Sequence, residues 1–245
     1  MIQTTLWIQK WREAFGEKPG LPIAFGYSDR PMSEPRHRGH CLIGALQAVR
    51  KGETISFSAG ELQCGGGTVY TGFGPMNDRI PTFVSRTERY KQTPGMVREA
   101  IDKFDLQPAP APFLNFWRVD RAERMYDAEG LICFATPDML AGLVNWACFD
   151  NTWDDAVVAG WGSGCSSIIA KVVTENRRQG HSCFLGMFDI SARPYVAADE
   201  LTFSIPMSRL PQMTETMEEC FFHGSKAWAN VKKRINGIDA GETAE

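Results

Sequence analysis

The sequence predicts an α+β protein, with a mixed sheet or sheets flanked by helices. Three observations carry this. Apolar residues at helical spacing, such as Leu6, Trp7, Trp11 and Phe15, interleave irregularly with short apolar runs rich in β-formers. Threonine followed by proline, at Thr93-Pro94 and Thr136-Pro137, marks helix starts, because the hydroxyl caps and proline suits the first turn. The regular strand–helix alternation of a doubly wound sheet is missing.

In order, a first helix ends at Gly16, a natural C-cap, and Leu21 to Tyr27 reads as a buried strand. Ser28 to His40 is polar, rich in arginine, proline and glycine, and reads as a loop. Cys41 to Arg50 places Leu42, Ala45, Leu46 and Val49 on one helical face, stopped at Gly52. Thr54 to Phe57 reads as a strand, and Cys64 to Pro75, with five glycines, as a loop. The Thr93-Pro94 helix runs to about Phe104.

Pro108-Ala109-Pro110-Ala111-Pro112 is a short stiff linker, so the reading is one domain over 1–245 with an internal seam near 105–112 between two similar-sized halves. Beyond it, Phe113 to Trp117 and Leu131 to Ala135 read as strands, and Thr136 to Ala147 as a helix. Asp155 to Ala159 leads into a glycine loop and a helix through Ile168, Ile169, Val172 and Val173. Ser182 to Ile190 and Leu201 to Ile205 read as strands, Ser208 to Ile235 as mostly helix, and 236–245 as a flexible tail.

Bulk properties exclude several classes. A net charge of −3 over 245 residues gives no pull toward nucleic acid or anionic membrane, and no apolar run spans a bilayer. The N-terminus lacks the basic-then-apolar pattern of a secretory signal. Seven cysteines, an odd count, argue against a disulfide framework and for a reducing cytoplasm. A homodimer is compatible with these properties.

The cysteines divide by local context. Cys133, Cys148, Cys183 and Cys220 sit in apolar segments and read as core. Cys41 opens a helix after His37-Arg38-Gly39-His40, Cys64 precedes Gly65-Gly66-Gly67, and Cys165 follows Gly162-Ser163-Gly164. Backbone N–H groups gather at such places and favour a thiolate. Three readings follow: an iron–sulfur cluster held by all three, a zinc site completed by His40 or His37, or one nucleophile with two bystanders. Against these, glycine-flanked cysteines are also ordinary tight turns. The spacings of 23 and 101 residues match no short metal motif.

A second constellation ends the strand after Gly186. Asp189 could serve as a general base, and Arg193 could grip a carboxylate or phosphate. The plain alternative is a structural Asp189–Arg193 ion pair. No dinucleotide or phosphate-loop fingerprint is present.

Two stretches carry a resemblance: Phe134-Ala135-Thr136-Pro137-Asp138 through Gly164-Cys165-Ser166-Ser167, and Gly186-Met187-Phe188-Asp189-Ile190-Ser191-Ala192-Arg193-Pro194. With Cys64-Gly65-Gly66-Gly67 and Gly72-Phe73-Gly74, they resemble domain of unknown function family 169, of archaea and anaerobic or metabolically versatile bacteria. The resemblance runs from about Pro22 to Phe222, with Gly65 where the family pattern has proline. It implies that the segments of Cys41, Cys64 and Cys165 belong to one pattern, and it supplies no reaction.

The resulting expectation is that Cys41, Cys64 and Cys165 converge on a metal or iron–sulfur site in a glycine-lined cleft, with Asp189 and Arg193 facing it. The alternatives are a metal-free module for a small anionic molecule, in which the cysteines only pack, and a cysteine-nucleophile enzyme.

Overall fold

A computed structural model describes residues 3–35, 41–122 and 127–238. The chain forms α1 (Thr4–Phe15), β1 (Ile23–Ser28), α2 (Leu42–Arg50), β2 (Ile55–Phe57), α3 (Gly65–Tyr70), α4 (Arg79–Thr82) and α5 (Pro94–Asp102). There follow β3 (Phe113–Arg118), β4 (Gly130–Ala135), α6 (Pro137–Ala147), β5 (Val157–Val158), α7 (Lys171–Arg177), β6 (Cys183–Gly186), β7 (Leu201–Pro206), α8 (Leu210–Glu215) and α9 (Lys226–Ile235).

Among the described residues the strands form one seven-stranded sheet, ordered β2-β3-β1-β4-β7-β6-β5. Only β5 and β6 pair in parallel. The expected α+β class with a mixed sheet is what the chain adopts. β1 sits between β3 and β4, with Phe25 opposite both Phe116 and Gly130. The sheet therefore takes central strands from both sides of the Pro108–Pro112 linker.

Side chains alternate across a strand, and here both faces are covered. Ala24, Leu131, Cys133, Phe203 and Ile205 face a layer of α1, α6, α8 and α9. Phe25, Phe116, Ile132, Phe134 and Phe184 face a second layer of α2, α5, α7 and the turn before α7. This explains the continuous apolar runs of β1 and β4, since a strand covered on both sides has no polar face. Burying one such large side chain stabilises by about 1.5–3 kcal/mol.

Several segments differ from expectation. The glycine run after Cys64 is helical, because Cys64 caps it and Val69 and Tyr70 bury against the second layer. The strand expected to reach Ile190 stops at Gly186, where Met187 takes a left-handed backbone (φ 72°). The helix after the glycine loop begins as a π-helical turn, Ser166–Ala170. Residues 216–225 form turns that separate α8 from α9. Cys148, read as core, is exposed: it caps the end of α6, beyond the buried stripe of Met139, Leu143 and Trp146. Cys133, Cys183 and Cys220 are buried.

Of the expected tail, residues 239–245 lie outside the described residues. Asn236 is docked, donating to the Phe15 carbonyl at 2.8 Å and accepting from the Lys18 N–H at 3.1 Å.

Candidate functional site

The second layer opens into a cleft of about 670 Å³. One wall is the N-terminus of α3, with Cys64, Gly65, Gly66 and Tyr70. The opposite wall is Trp161-Gly162-Ser163 and Phe188-Asp189-Ile190-Ser191, two of the segments that carried the sequence argument. A third wall comes from α4 and the π-helical turn after it: Arg79, Ile80, Phe83, Val84, Glu88, Arg89 and Tyr90.

Local chemistry shapes each wall. The Cys64 sulfur accepts the Gly67 N–H at 3.4 Å and so caps α3. Asn77 caps α4, its side-chain oxygen accepting the N–H groups of Arg79 (3.0 Å) and Ile80 (3.3 Å). Asp189 joins two loops: its carboxylate accepts the Gly164 N–H at 3.0 Å, the Ser191 N–H at 3.0 Å and the Ser191 hydroxyl at 2.7 Å. Lys91 lies over the Trp161 ring, 4.6 Å from its centroid, and fixes that side of the mouth.

The charges of Cys41, Cys64 and Cys165 influence one another. Burial raises the Cys41 thiol pKa; the Gly44 and Ile43 N–H groups at the start of α2 oppose the rise, and Cys64 and Asp189 add to it. Burial pushes Cys165 well up, and Cys64, Cys41 and Asp189 push it further. These directions oppose the thiolate expectation: the helix-start N–H groups are present at Cys41, but desolvation outweighs them. The same environment raises Tyr70, by burial first and then by Cys165, Asp189 and Cys64, although a hydrogen bond to Ser163 lowers it.

Mutual influence is not ligation. Among the described residues no group of three or more His, Cys, Asp or Glu side chains is set to hold a metal ion. His40 and His37, expected as further zinc ligands, lie outside the described residues.

Arg193 serves elsewhere. Its guanidinium donates to the carbonyls of Glu200, Ala197 (2.9 Å) and Ala198 (2.9 Å), tying down the loop before β7. It is not among the cleft-lining residues, and no side-chain ion pair links it to Asp189. The structure therefore brings Asp189 and Cys64 to the cleft and leaves Cys41, Cys165 and Arg193 out of its lining.

The third wall was missed in the sequence. Ile80 and Val84, four residues apart after Asn77-Asp78, are the helical signal that marks it. Its chemistry differs from the rest. Among the described residues, the side chains of Arg79 and Arg89 have no hydrogen bond, ion pair or ring contact. Glu88 likewise has no side-chain hydrogen bond or ion pair, and burial, then the charge of Asp189, raises its pKa. Phe83, Phe188 and Ile190 are exposed at the rim despite being large and apolar.

Fold and site together define a class: an α+β protein with an apolar-walled cleft that is lined, among the described residues, by Cys64 and by the charged side chains of Arg79, Arg89, Glu88 and Asp189. No helix among the described residues is long and apolar enough to cross a membrane. The chain belongs to family DUF169, described as "Uncharacterised ArCR", whose model matches residues 15–216. No curated protein and no solved structure matches it.

Proposed function

We propose that the cleft binds a small amphipathic organic anion, in the reducing cytoplasm. The observation that carries this is the pair Arg79 and Arg89, two guanidiniums without partners among the described residues, lining an apolar-walled cleft. A guanidinium grips a carboxylate or phosphate through paired N–H donors, and the bond is strengthened by charge. Tyr70, Phe83, Trp161 and Phe188 offer the apolar contact that sites for small molecules use. Cys64 is the thiol that a bound ligand would meet, and seven free cysteines suit a reducing compartment.

Calorimetric titration with 3-phenylpropionate and its uncharged amide tests this. The acid should saturate with a Kd of about 1 mM or tighter, a scale reasonable for so few atoms, and the amide should bind at least about tenfold more weakly. Equal binding of the two, or no saturation by the acid, contradicts the reading.

A second reading rests on a different observation, the mutual influence of Cys41, Cys64 and Cys165. It makes them ligands of an iron–sulfur cluster or, alternatively, zinc, although no ligand set of three or more such side chains is formed among the described residues. Iron and zinc analysis of anaerobically purified protein decides it. Metal that is lost in each of C41S, C64S and C165S supports this reading, and metal-free wild type retires it.

A further inference from the structure

The rim of the cleft carries charges of both signs, and three of the charged side chains, Arg79, Arg89 and Glu88, have no side-chain hydrogen bond or ion pair among the described residues. Arg79 and Arg89 supply two positive charges without a side-chain partner among the described residues. Of the two carboxyls, Asp189 is satisfied by three donors from Gly164 and Ser191. Glu88 is not: it is half-buried, lines the cleft next to Arg89 in sequence, and has no side-chain hydrogen bond or ion pair among the described residues. Tyr90, the next residue, has its own partner in Ser191 and leaves Glu88 unserved. A partly desolvated carboxyl without a partner is costly, and a ligand that supplies a cation there recovers that cost on binding.

We infer that the ligand is zwitterionic, placing its anionic group on Arg79 and Arg89, a protonated amine on Glu88, and an apolar body against Phe83, Trp161 and Phe188. This rests on the anion-binding reading above and sharpens it to amino-acid-like or short-peptide chemistry. Glu88 then sets specificity, because an acid lacking the amine leaves it half-buried and without a counter-charge. A cleft of about 670 Å³ takes a body larger than one aromatic ring, so a dipeptide belongs among the probes.

The test compares L-phenylalanine and glycyl-L-phenylalanine with N-acetyl-L-phenylalanine and 3-phenylpropionate by calorimetric titration of the full chain. At least one zwitterion should bind about tenfold or more tightly than both amine-free acids, the scale of one charge-assisted bond. E88Q should remove that preference and leave 3-phenylpropionate binding as tight or tighter. If the amine-free acids bind as well as the zwitterions on the wild type, the zwitterion inference falls and the anion reading stands. If none of the four saturates, both fall. The wild-type comparison needs no variant, so a poorly folding E88Q would not rescue the inference.

Discussion

The Asp189 carboxylate accepts the backbone N–H of Gly164 at 3.0 Å across 25 residues of chain. That bond fastens the loop before Cys165 to the loop after β6, and both loops line the wall opposite Cys64. The two most distinctive stretches of the sequence are thus two sides of one joint.

Breaking the joint should cost stability before it changes chemistry. Asp189→Ala removes the acceptor of three donors; the Gly164 N–H is partly buried and leaving it unmet costs about 1–3 kcal/mol, while the exposed Ser191 donors turn to water. Asp189→Asn keeps the shape and one acceptor oxygen, and should cost less. Urea denaturation of the two variants measures the difference; equal loss, or none, contradicts this role.

Arg209 is 1 % exposed and holds the end of α6 to the start of α8, pairing with Asp150 and donating to the Ala147 carbonyl at 3.1 Å. Asp150→Asn leaves a buried guanidinium without its counter-charge and should cost about 3–5 kcal/mol. The hydrogen bond from Arg209 is the main cause that lowers the Asp150 pKa. A carboxyl lowered on folding contributes stability above its unfolded pKa of about 3.9, and that contribution is lost as pH falls through the lower folded value. The wild type should therefore lose stability to acid below about pH 4 more steeply than Asp150→Asn does. Parallel acid titrations of the two proteins would contradict the pairing.

Thiol accessibility should follow structure rather than local sequence. Cys148 is exposed and Cys64 lines the cleft, so iodoacetamide should label these two first. Cys41 is half-buried with a raised thiol, so its labelling should accelerate only as pH rises above the usual thiol range of about 8.5. Cys133, Cys165, Cys183 and Cys220 are buried and should react only on unfolding. A saturating cleft ligand should protect Cys64 and not Cys148. Peptide mapping reads all of this, and early labelling of Cys165 would count against the arrangement.

Gly186 ends β6 where the π-helical turn crosses it, and a Cβ there would meet both the Cβ and the hydroxyl of Ser167. Gly186→Ala should cost about 1–3 kcal/mol by overpacking. A thermal melt indistinguishable from wild type would show that the turn can yield.

The parts that were legible in the sequence are those with strong local rules. Thr93-Pro94 and Thr136-Pro137 start α5 and α6, and the apolar runs at 23–27 and 131–135 are central strands covered on both sides. Gly65-Gly66-Gly67 misled because glycine lowers helix propensity, while the Cys64 cap and the burial of Tyr70 outweigh that loss. The thiolate expectation read N–H groups that are present at Cys41, but sequence does not show how deeply a side chain is buried. Arg193 announced itself as an anion grip and holds backbone carbonyls instead. Arg79, Glu88 and Arg89 carried no motif, because their significance lies in the absence of partners, which only the folded chain displays.

The most direct measurement is the affinity of the double variant R79A/R89A for the tightest-binding acid of the panel, beside wild type. Both arginines are exposed and without side-chain partners among the described residues, so the variant should lie within about 1 kcal/mol of wild type in stability, as changes at sites of this kind do. The account predicts that affinity falls at least about tenfold while stability holds. Unchanged affinity in a stable double variant would contradict it.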